Sequence, residues 1–568
     1  MKKSTHIVMR WIETVMPGLG VARSYRRRWL LVDLFAGVTI FAMLVPQGMA
    51  YGELAGVAPV VGLYTAIGAL VGYALFGSSH RLMLGPESSS ALLVAAAVAP
   101  AAAGSPARFA LLAALLALLV GVIALAAGLA RLGFLADFVS KPILLGYITG
   151  VAIIMIVGQL GKLFGITIES EHFFQQIGEL LTHLGQTRVL TLMVGLVLLV
   201  FLLVLRHFAP RVPAALIVVV LMTIISSLLH LNTYGIAIVG TIPSGLPHFG
   251  LPDLSFTDVW DLLPSALTLT LIIFTDAVLT ARSVAEKHGE KVDANRELIG
   301  LGAANLASGL LQGFPAAASQ SRTAVDNLAG GKTQLVGIVA ATFLVAFLLW
   351  FTRLLENLPQ LVLAVIIIAA AINLIEVKPL LKVYRLRRVE FFLALVTFVG
   401  VLSIGVLAGI LVAVGLALVV VIGRISRPHD AVLGSVEGVD GYQDIEGYAN
   451  SQTVPGLIAY RFDAPLFFAN ADHFLTEVQE LIDAAEPHAE WLLIDAEAIV
   501  DIDVTATEAL STLQRELERK GIILAIARAH HPLQKMLMRS GLTERIGADH
   551  FYPTVRTGVQ AFLKQQAK

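Results

Sequence analysis

Long apolar runs alternate with short polar segments over the first three quarters of the chain. Most of these runs approach the roughly 20 residues that a helix needs to cross about 30 Å of hydrocarbon. They predict transmembrane helices at 31–51, 57–76, 108–131, 134–163, 188–206, 212–231, 262–280, 298–312, 333–350, 359–375 and 391–422. The last run is too long for one span, and Ser403-Ile404-Gly405 can divide it into a hairpin.

One polar stretch, residues 311–325, lies deep inside this apolar part and carries Ser319, Ser321 and Arg322. A lipid-exposed loop there would leave backbone amides without partners, at a cost of several kcal/mol each. The stretch therefore predicts a helix that starts inside the protein after Pro315, with Ser319 or Ser321 as its cap. Such a helix start, with Arg322 beside it, favours an anion site. The alternative is a re-entrant turn whose arginine pairs with a buried acid.

A second break lies at residues 84–90, where Pro86 and three serines precede the short apolar run 91–103. This run is too short to cross the membrane alone, so it predicts another broken helix, with Pro86 in its first turn. Paired breaks in two halves are typical of transporters built as inverted repeats, with the substrate between the breaks. We expect repeat one at about 31–231 and repeat two at about 260–425, close to fourteen elements in all.

The character of the chain changes after about residue 425, where apolar runs shorten and acidic residues appear. Residues 426–452 are expected to be a linker. From 453 to 568, apolar strand patterns alternate with amphipathic helix patterns, which predicts a small α/β domain. Thr505 is a candidate cap for the helix expected at 505–519.

Composition places the chain among membrane proteins, because 57% of its 568 residues are hydrophobic and only 14% are charged. An average soluble protein has about 25% charged residues. The net charge of −1 gives no reason to expect nucleic acid as a partner. The absence of cysteine excludes disulfides, thiolate catalysis and cysteine metal sites. No nucleophile–base set or metal cluster stands out, so we expect neither an enzyme nor a bound cofactor.

Basic residues flank the membrane part at both ends. Arg23, Arg26, Arg27 and Arg28 precede the first span, and Arg424 and Arg427 follow the last. By the positive-inside rule, residues 1–30 and the C-terminal domain both lie in the cytoplasm. The expected location is the inner membrane of a bacterium, surrounded by lipid.

Polar residues inside the spans supply further candidates for function. Gln47 and Tyr51 are four residues apart and share a helix face toward the expected cavity. Ser88 and Ser89 can offer backbone amides to an anion. Glu87 would repel an anion unless it is protonated or faces Arg322; the alternative is an acid turned away from the site.

Asp276 is a lone acid in an apolar span, and Thr280 follows it by one helical turn. This pair can coordinate Na⁺ or carry a proton, and two ligands do not decide between them. Asn305 can hydrogen-bond nearby, or it can make a plain contact between helices.

Four ordered motifs resemble the sulfate permease (SulP) family of anion transporters. They are Pro46-Gln47-Gly48-Met49-Ala50-Tyr51, residues 59–80, residues 314–325 and the C-terminal domain, which resembles a sulfate transporter and anti-sigma antagonist (STAS) domain. Val61 and His80 depart from the usual signature. The resemblance implies a seven-plus-seven inverted repeat, with a core domain that moves against a gate domain. It also implies a homodimer, and a substrate held between the N-termini of the third and tenth helices.

The leading hypothesis is a secondary active transporter of a small inorganic oxyanion, sulfate first. The candidate substrate-binding residues are Gln47, Tyr51, Glu87, Ser88, Ser89, Ser319, Ser321 and Arg322, and the candidate coupling-ion residues are Asp276 and Thr280. Other cargoes are bicarbonate with Na⁺, chloride or a C4-dicarboxylate. A different class is a regulatory scaffold whose STAS domain binds a cytosolic protein or nucleotide. Thr505 stands where anti-sigma antagonists carry a phosphorylatable serine.

Overall fold

The computed structural model describes residues 16–138, 141–170, 172–209, 212–252, 255–448, 450–486 and 488–567. The chain divides into two compact units, and the division falls between Gly415 and Leu416. The first unit is helical and apolar, and the second contains a sheet. Each unit has a hydrophobic core of its own.

The membrane part is a succession of helices that follow the apolar runs. Its first half contains α1 (Pro17–Ser24), α2 (Leu30–Leu54), α3 (Pro59–Phe76), α4 (Ser88–Ala102), α5 (Pro106–Leu129), α6 (Lys141–Phe164), α7 (Phe173–Thr182), α8 (Val189–Phe208) and α9 (Ala214–Leu229). Its second half contains α10 (Phe256–His288), α11 (Ala294–Leu310), α12 (Gln320–Ala329), α13 (Leu335–Trp350), α14 (Gln360–Leu374), α15 (Val377–Leu386), α16 (Arg388–Ile404) and α17 (Val406–Ser426). Within the described residues, eight helices are long and apolar enough to cross a membrane.

The 391–422 run is divided as expected. Helix α16 ends at Ile404 and α17 begins at Val406, with Gly405 between them at a φ of +93°. Glycine adopts this left-handed conformation without the steric cost that a Cβ would add. The run therefore divides into two helices at the place that the sequence predicts.

Small residues let the central helices approach closely. Helix α11 packs against both α5 and α3. A Cβ added at Gly68 would lie 2.6 Å from the Cα of Ser308, and one at Gly72 would lie 2.6 Å from the carbonyl oxygen of Ala303. Any larger residue would push these helices apart. Close packing of this kind substitutes for the hydrophobic driving force that lipid cannot provide between helices.

Two short strands join the halves of the membrane part. Strand β1 (Leu84–Gly85) pairs antiparallel with β2 (Ala317–Ala318), with Leu84 opposite Ala318. The backbone N–H of Ser319 also donates to the carbonyl of Met83 at 3.0 Å. Helix α4 follows β1 and helix α12 follows β2, so the pairing brings both helix starts to one place. This confirms the two broken helices.

The extended segment before α12 is fully buried, yet its backbone groups find partners. The side chain of Asn305 donates to the Ala316 carbonyl at 3.2 Å and accepts from the Ala316 N–H at 2.8 Å. Ser308 donates to the Phe314 carbonyl, and the Phe314 N–H donates to the Thr65 hydroxyl at 2.9 Å. These bonds meet the requirement that non-helical backbone at membrane depth be satisfied within the protein. Asn305 therefore holds the segment that precedes the site.

The first break differs in detail from its prediction. Helix α4 begins at Ser88, and its N-cap is Glu87, which leaves Pro86 outside the first turn. The Glu87 carboxylate accepts from the Ser89 N–H at 2.7 Å. A charged cap complements the positive end of the helix dipole better than a neutral hydroxyl does.

The second unit is an α/β domain with a six-stranded sheet. The strands are β3 (Asp430–Ser435), β4 (Tyr442–Asp444), β5 (Leu457–Phe462), β6 (Trp491–Asp495), β7 (Ile523–Ala527) and β8 (Phe551–Tyr552), in the spatial order β4-β3-β5-β6-β7-β8. Strands β5 to β8 are parallel. The helices are α18 (Ala471–Asp483), α19 (Val504–Arg519), α20 (His531–Arg539), α21 (Leu542–Ile546) and α22 (Val555–Gln566).

Two expectations for this domain need correction. The segment 426–452, expected as a linker, contains β3 and β4, because its short apolar positions complete the sheet edge. The cap of α19 is Asp503, whose carboxylate accepts from the Ala506 N–H at 2.8 Å, and Thr505 lies inside the first turn with an exposed side chain. An aspartate two residues earlier adds a favourable charge at the helix start. Phosphorylation of Thr505 stays a prediction.

An ion pair holds the carboxyl end of β6 to the residue after β7. Asp495 is fully buried and accepts two hydrogen bonds from Arg528, which also pairs with Glu497. The hydrogen bond that Arg528 donates to Asp495 raises the pKa of Arg528. Since arginine is already charged at every physiological pH, the pair is structural.

Candidate functional site

A cavity of about 850 Å³ lies between the starts of α4 and α12 on one side and helices α6, α8, α9 and α14 on the other. Helix α2 lines it with Thr39, Met43, Gln47 and Tyr51. Eight residues predicted to act at the site line this cavity: Gln47, Tyr51, Glu87, Ser88, Ser89, Asp276, Ser319 and Ser321. The structure therefore brings together residues that are up to 274 positions apart in sequence, between Gln47 and Ser321.

The start of α12 presents an open helix end to the cavity. Ser319 is its N-cap, and the Ser319 hydroxyl accepts from the Arg322 N–H at 3.4 Å. The Ser319 and Ser321 hydroxyls lie 3.2 Å apart, and Gln320 also lines the cavity. The first N–H groups of a helix have no partner within the helix. They can bind a negatively charged group, which the helix dipole also favours.

The start of α4 is already occupied by a charge of the protein itself. Besides the Ser89 N–H, the Glu87 carboxylate accepts from the Ser88 hydroxyl at 2.8 Å and the Ser89 hydroxyl at 2.6 Å. Glu87 also lines the cavity. Glu87 therefore makes no hydrogen bond to Arg322 and is not turned away from the cavity, and its protonation during transport stays a prediction. The two helix starts are therefore unequal, and the one at α12 is the freer binding surface.

Arg322 lies behind the cavity wall. Its side chain is fully buried, and its Nη1 donates to the Oε1 of Gln47 at 3.3 Å. Its Nε and Nη2 atoms have no hydrogen-bond partner. A Cβ added at Gly85 would lie 3.2 Å from Nη2, so β1 passes directly over the guanidinium. Gln47 lines the cavity, and Arg322 does not, so Gln47 stands between this charge and the cavity.

Asp276 lies in the wall of the cavity, whereas Thr280 is buried outside the lining. Asp276 lines the cavity, and its Oδ1 accepts from Gln320 at the long distance of 3.5 Å. Thr280 is buried, and its hydroxyl has no hydrogen-bond partner. Thr268, Thr270 and Thr275 on the same helix each donate to the carbonyl four residues earlier. The unpaired Thr280 hydroxyl beside a carboxylate fits the oxygen ligands that a hard cation takes.

Two cationic side chains that were not predicted from the sequence also line the cavity. Arg206, in the last turn of α8, donates to the Ala369 carbonyl at 3.2 Å, and Lys141 is the first residue of α6. The positive-inside rule accounts for basic residues at the ends of spans, so neither residue was unusual in sequence. Their position opposite the α4 and α12 starts becomes visible only when the helices are packed.

The lining combines hydrogen-bond donors with charges of both signs. Lys141 and Arg206 are positive, and Glu87, Asp276 and Glu376 are negative. Within the described ranges, no group of three or more His, Asp or Glu residues has metal-binding geometry. The arrangement can bind a small anion at the α12 start, with Arg206 opposite it, and a cation or proton at Asp276.

Two family models match the chain. One is described as the sulfate permease family and matches residues 30–397, well over half of the chain. The chain belongs to the sulfate permease family. The second describes the STAS domain and matches residues 448–558. Membership in the sulfate permease family confirms the resemblance drawn from the four motifs, and with it a multi-pass helical membrane protein that carries a C-terminal STAS domain.

Relatives within the sulfate permease family match along almost the whole chain. Two proteins of Mycobacterium tuberculosis, each named "Probable sulfate transporter", are 43% identical over 549 residues, which is 97% of this chain and 98% of each relative. The "Sulfate transporter 4.1, chloroplastic" of Arabidopsis thaliana is 33% identical and covers 98% of this chain, which spans 83% of the plant protein.

Solved structures agree with the fold. The murine solute carrier 26 family member A9 anion transporter, in its inward-facing state, superposes with a TM-score of 0.90 at 24% identity, over 98% of this chain and 95% of the murine one. The transmembrane domain of a cyanobacterial bicarbonate transporter superposes with a TM-score of 0.60 at 25% identity, over 70% of this chain and 98% of that domain.

Proposed function

We propose that this protein is a secondary active transporter of sulfate in a bacterial plasma membrane. The observation that carries the proposal is the cavity whose wall contains the open start of α12, with a buried arginine directly behind it. A divalent oxyanion has several acceptor oxygens, and this wall offers hydroxyls, free N–H groups and positive charge. The names of the relatives and the membership in the sulfate permease family support sulfate as the first choice.

Binding energy comes from donors that are already in place. The hydroxyls of Ser319 and Ser321 and the first N–H groups of α12 bind the anion oxygens. Gln47 accepts a hydrogen bond from Arg322, and the positive charge of Arg322 polarises the Gln47 amide. Arg206 balances charge from the opposite wall. Charge-assisted hydrogen bonds of this kind are roughly twice as strong as neutral ones. Because these donors are already ordered, binding of the anion loses less conformational entropy.

Transport requires the cavity to open on alternate sides of the membrane. The cavity is lined by the first residues of α6 and α9 and by the ends of α8 and α14. With residues 1–30 in the cytoplasm, those helix ends face the cytoplasm, so the cavity opens inward. Toward the other side, Lys162 of α6 pairs with Glu53 in the last turn of α2. We infer that outward opening separates this ion pair, as the core domain moves against the gate domain within each subunit of a homodimer.

Asp276 and Thr280 provide the coupling-ion site. The unpaired Thr280 hydroxyl favours Na⁺, whereas Asp276 alone suffices to carry a proton. A second cargo, bicarbonate moved with Na⁺, is supported by this same pair and by the likeness to the cyanobacterial bicarbonate transporter domain. No cofactor enters either scheme.

The test of the proposal is uptake of labelled sulfate into proteoliposomes that contain the full chain. We expect sulfate to accumulate under an imposed ion gradient, and unlabelled sulfate to compete with the label more strongly than bicarbonate, chloride or fumarate does. Each competitor is added at the same ionic strength, because salt alone screens the cavity charges. Stronger competition by bicarbonate than by sulfate would replace sulfate with the second cargo.

Replacing Arg206 with glutamine is expected to raise the KM for sulfate about tenfold, with a smaller change in the maximal rate. The side chain faces the cavity from the wall opposite the anion, so its positive charge contributes to anion binding. A tenfold change in KM corresponds to about 1.4 kcal/mol of binding free energy. The dependence of KM on salt should also weaken, since one steering charge is lost.

The neighbouring His207→Gln variant is the control for Arg206. His207 is exposed and lies outside the cavity lining, so its KM should match that of the wild type. An Arg206→Gln protein with the wild-type KM and salt dependence would remove Arg206 from the binding site.

A further inference from the structure

Three carboxylates of the described membrane part, outside the cavity lining, are at most 1% exposed. Asp33 is 0% exposed, Glu297 is 1% exposed and Asp326 is 1% exposed. An ionised carboxylate buried in protein is strongly destabilising unless hydrogen bonds or an opposite charge compensate it. The contacts of the three side chains therefore indicate which of them can be ionised.

Two of these acids are fully provided with donors. Asp33 accepts from the Lys332 N–H at 2.7 Å, the Thr333 hydroxyl at 2.8 Å and the Tyr25 hydroxyl at 3.2 Å. Glu297 accepts from the Tyr73 hydroxyl at 2.6 Å and the Ser78 hydroxyl at 2.5 Å. Every carboxylate oxygen of these two side chains is satisfied by a donor, which is the environment of an ionised acid.

Asp326 has no such environment. Both of its carboxylate oxygens are buried, and neither has a hydrogen-bond partner. The carboxylate is packed against Gly331, where an added Cβ would lie 2.0 Å from Oδ1. Gly331 and the next two residues form the loop that also donates to Asp33, so the two acids lie against the same loop.

The charged groups around Asp326 do not compensate it by contact. Asp33 on α2, Arg81 in the segment before β1 and Lys332 in the loop after α12 are the charges within electrostatic range. Arg81 donates to Asn327 at 3.3 Å and contacts His288 of α10, and Lys332 is exposed. Arg322, one turn earlier on α12, donates to Gln47 instead. Asp33 adds a like charge.

We propose that Asp326 is a proton-binding site of the membrane part, separate from the cavity, and that it holds a proton in the conformation described here. The carboxylate takes one proton from solvent and becomes a neutral carboxyl, which removes an uncompensated charge beside Asp33. A metal cation would require several ligands, and within the described residues no group of three or more acidic or histidine side chains could hold one. The site lies on the same short helix as Ser319 and Arg322, so its proton is held about two turns from the proposed anion site. The inference does not depend on which anion is transported.

The first test is infrared difference spectroscopy of the full chain in detergent at neutral pH. Subtracting the spectrum of Asp326→Asn from that of the wild type should leave the C=O stretch of a protonated carboxyl, which shifts in heavy water. The same subtraction with Glu297→Gln should leave carboxylate bands instead. Carboxylate bands in the Asp326 difference would overturn the proposal, whatever the result of the sulfate uptake experiment.

The second test is thermal unfolding of the same proteins. At neutral pH, Asp326→Asn should melt within about 1 °C of the wild type, because a neutral amide replaces a neutral acid. Glu297→Gln should melt at a clearly lower temperature, because an amide group then faces hydroxyl donors. Raising the pH should destabilise the wild type more than Asp326→Asn, because the folded protein holds a proton that the unfolded chain releases.

Sodium serves as the discriminating addition in the melting experiment. A sodium-dependent change in melting temperature that is no larger in the wild type than in Asp326→Asn would support a proton at Asp326. A sodium-dependent increase that disappears in Asp326→Asn would overturn the proton in favour of a cation. A melting temperature of Asp326→Asn as low as that of Glu297→Gln would show that Asp326 is an ionised, stabilising acid, and would also overturn the proposal.

Discussion

Replacing Arg322 with glutamine is expected to lower the rate of sulfate uptake at least about 100-fold. The guanidinium is fully buried and its Nε and Nη2 atoms have no hydrogen-bond partner, so no acceptor at these atoms offsets its charge. At a separation of about 6 Å and an effective dielectric constant of about 20, its attraction for one negative charge is about 3 kcal/mol. That free energy corresponds to about 100-fold in binding. Uptake of labelled sulfate into proteoliposomes measures the loss.

Two further variants separate charge from folding. Arg322→Lys keeps the charge but loses the planar guanidinium that reaches Gln47, so it should recover part of the uptake. Arg385→Gln removes an exposed arginine on α15 and should leave uptake unchanged. If Arg322→Gln is correctly folded, with the wild-type melting temperature, and transports at the wild-type rate, Arg322 has no part in anion binding.

Replacing Asp276 with asparagine is expected to abolish accumulation of sulfate against its gradient while exchange of internal for external sulfate continues. Asp276 is an acid that lines the cavity, on the helix that faces the α12 start. Its carboxylate is the group that can bind a coupling cation or proton, and asparagine has neither the negative charge nor a titratable group. Without coupling, the accumulation ratio should fall at least about tenfold, which corresponds to a loss of about 1.4 kcal/mol of driving force. Parallel accumulation and exchange assays on one preparation provide the measurement.

Thr280→Val is the matched variant that distinguishes the coupling ion. Its hydroxyl has no partner in the protein, and valine has nearly the same shape. If Na⁺ is the coupling ion, Thr280→Val should lose sodium-driven accumulation as Asp276→Asn does. If the proton is the coupling ion, accumulation driven by a pH gradient should survive in Thr280→Val and be lost only in Asp276→Asn. Full accumulation in Asp276→Asn would contradict a coupling role for this acid.

Much of the site follows from the sequence because polar residues inside lipid need a reason to be there. The serines and the proline at residues 315–321 can only be accommodated where the backbone is satisfied within the protein, which predicts a helix that starts inside the protein. The matching break at 84–90 predicts its counterpart. Asn305 is harder to interpret, because an asparagine in a helix can bond to many partners. Only the packed structure shows that the Asn305 side chain hydrogen-bonds to both the N–H and the carbonyl of Ala316.

The positions of the charges relative to the cavity could not be read from the sequence. Arg322 was expected at the anion, yet it lies behind Gln47 and outside the cavity lining. Glu87 was expected to face Arg322, to take up a proton or to turn away, and the structure shows that its carboxylate caps α4 within the cavity wall. Long or flexible side chains have several rotamers at each backbone position, and neighbouring helices decide between them.

The sequence by itself determined that this is a multi-pass membrane protein with two broken helices and a separate α/β domain. The physical reason is local: lipid excludes unpaired backbone and uncompensated charge, so each exception marks a site within the chain. The tertiary structure alone decided which charges meet. It placed Arg206 opposite the α12 start, set Arg322 behind Gln47 and left Asp326 without a donor. These relations depend on distances between helices that are far apart in sequence, and they arise only when the helices pack.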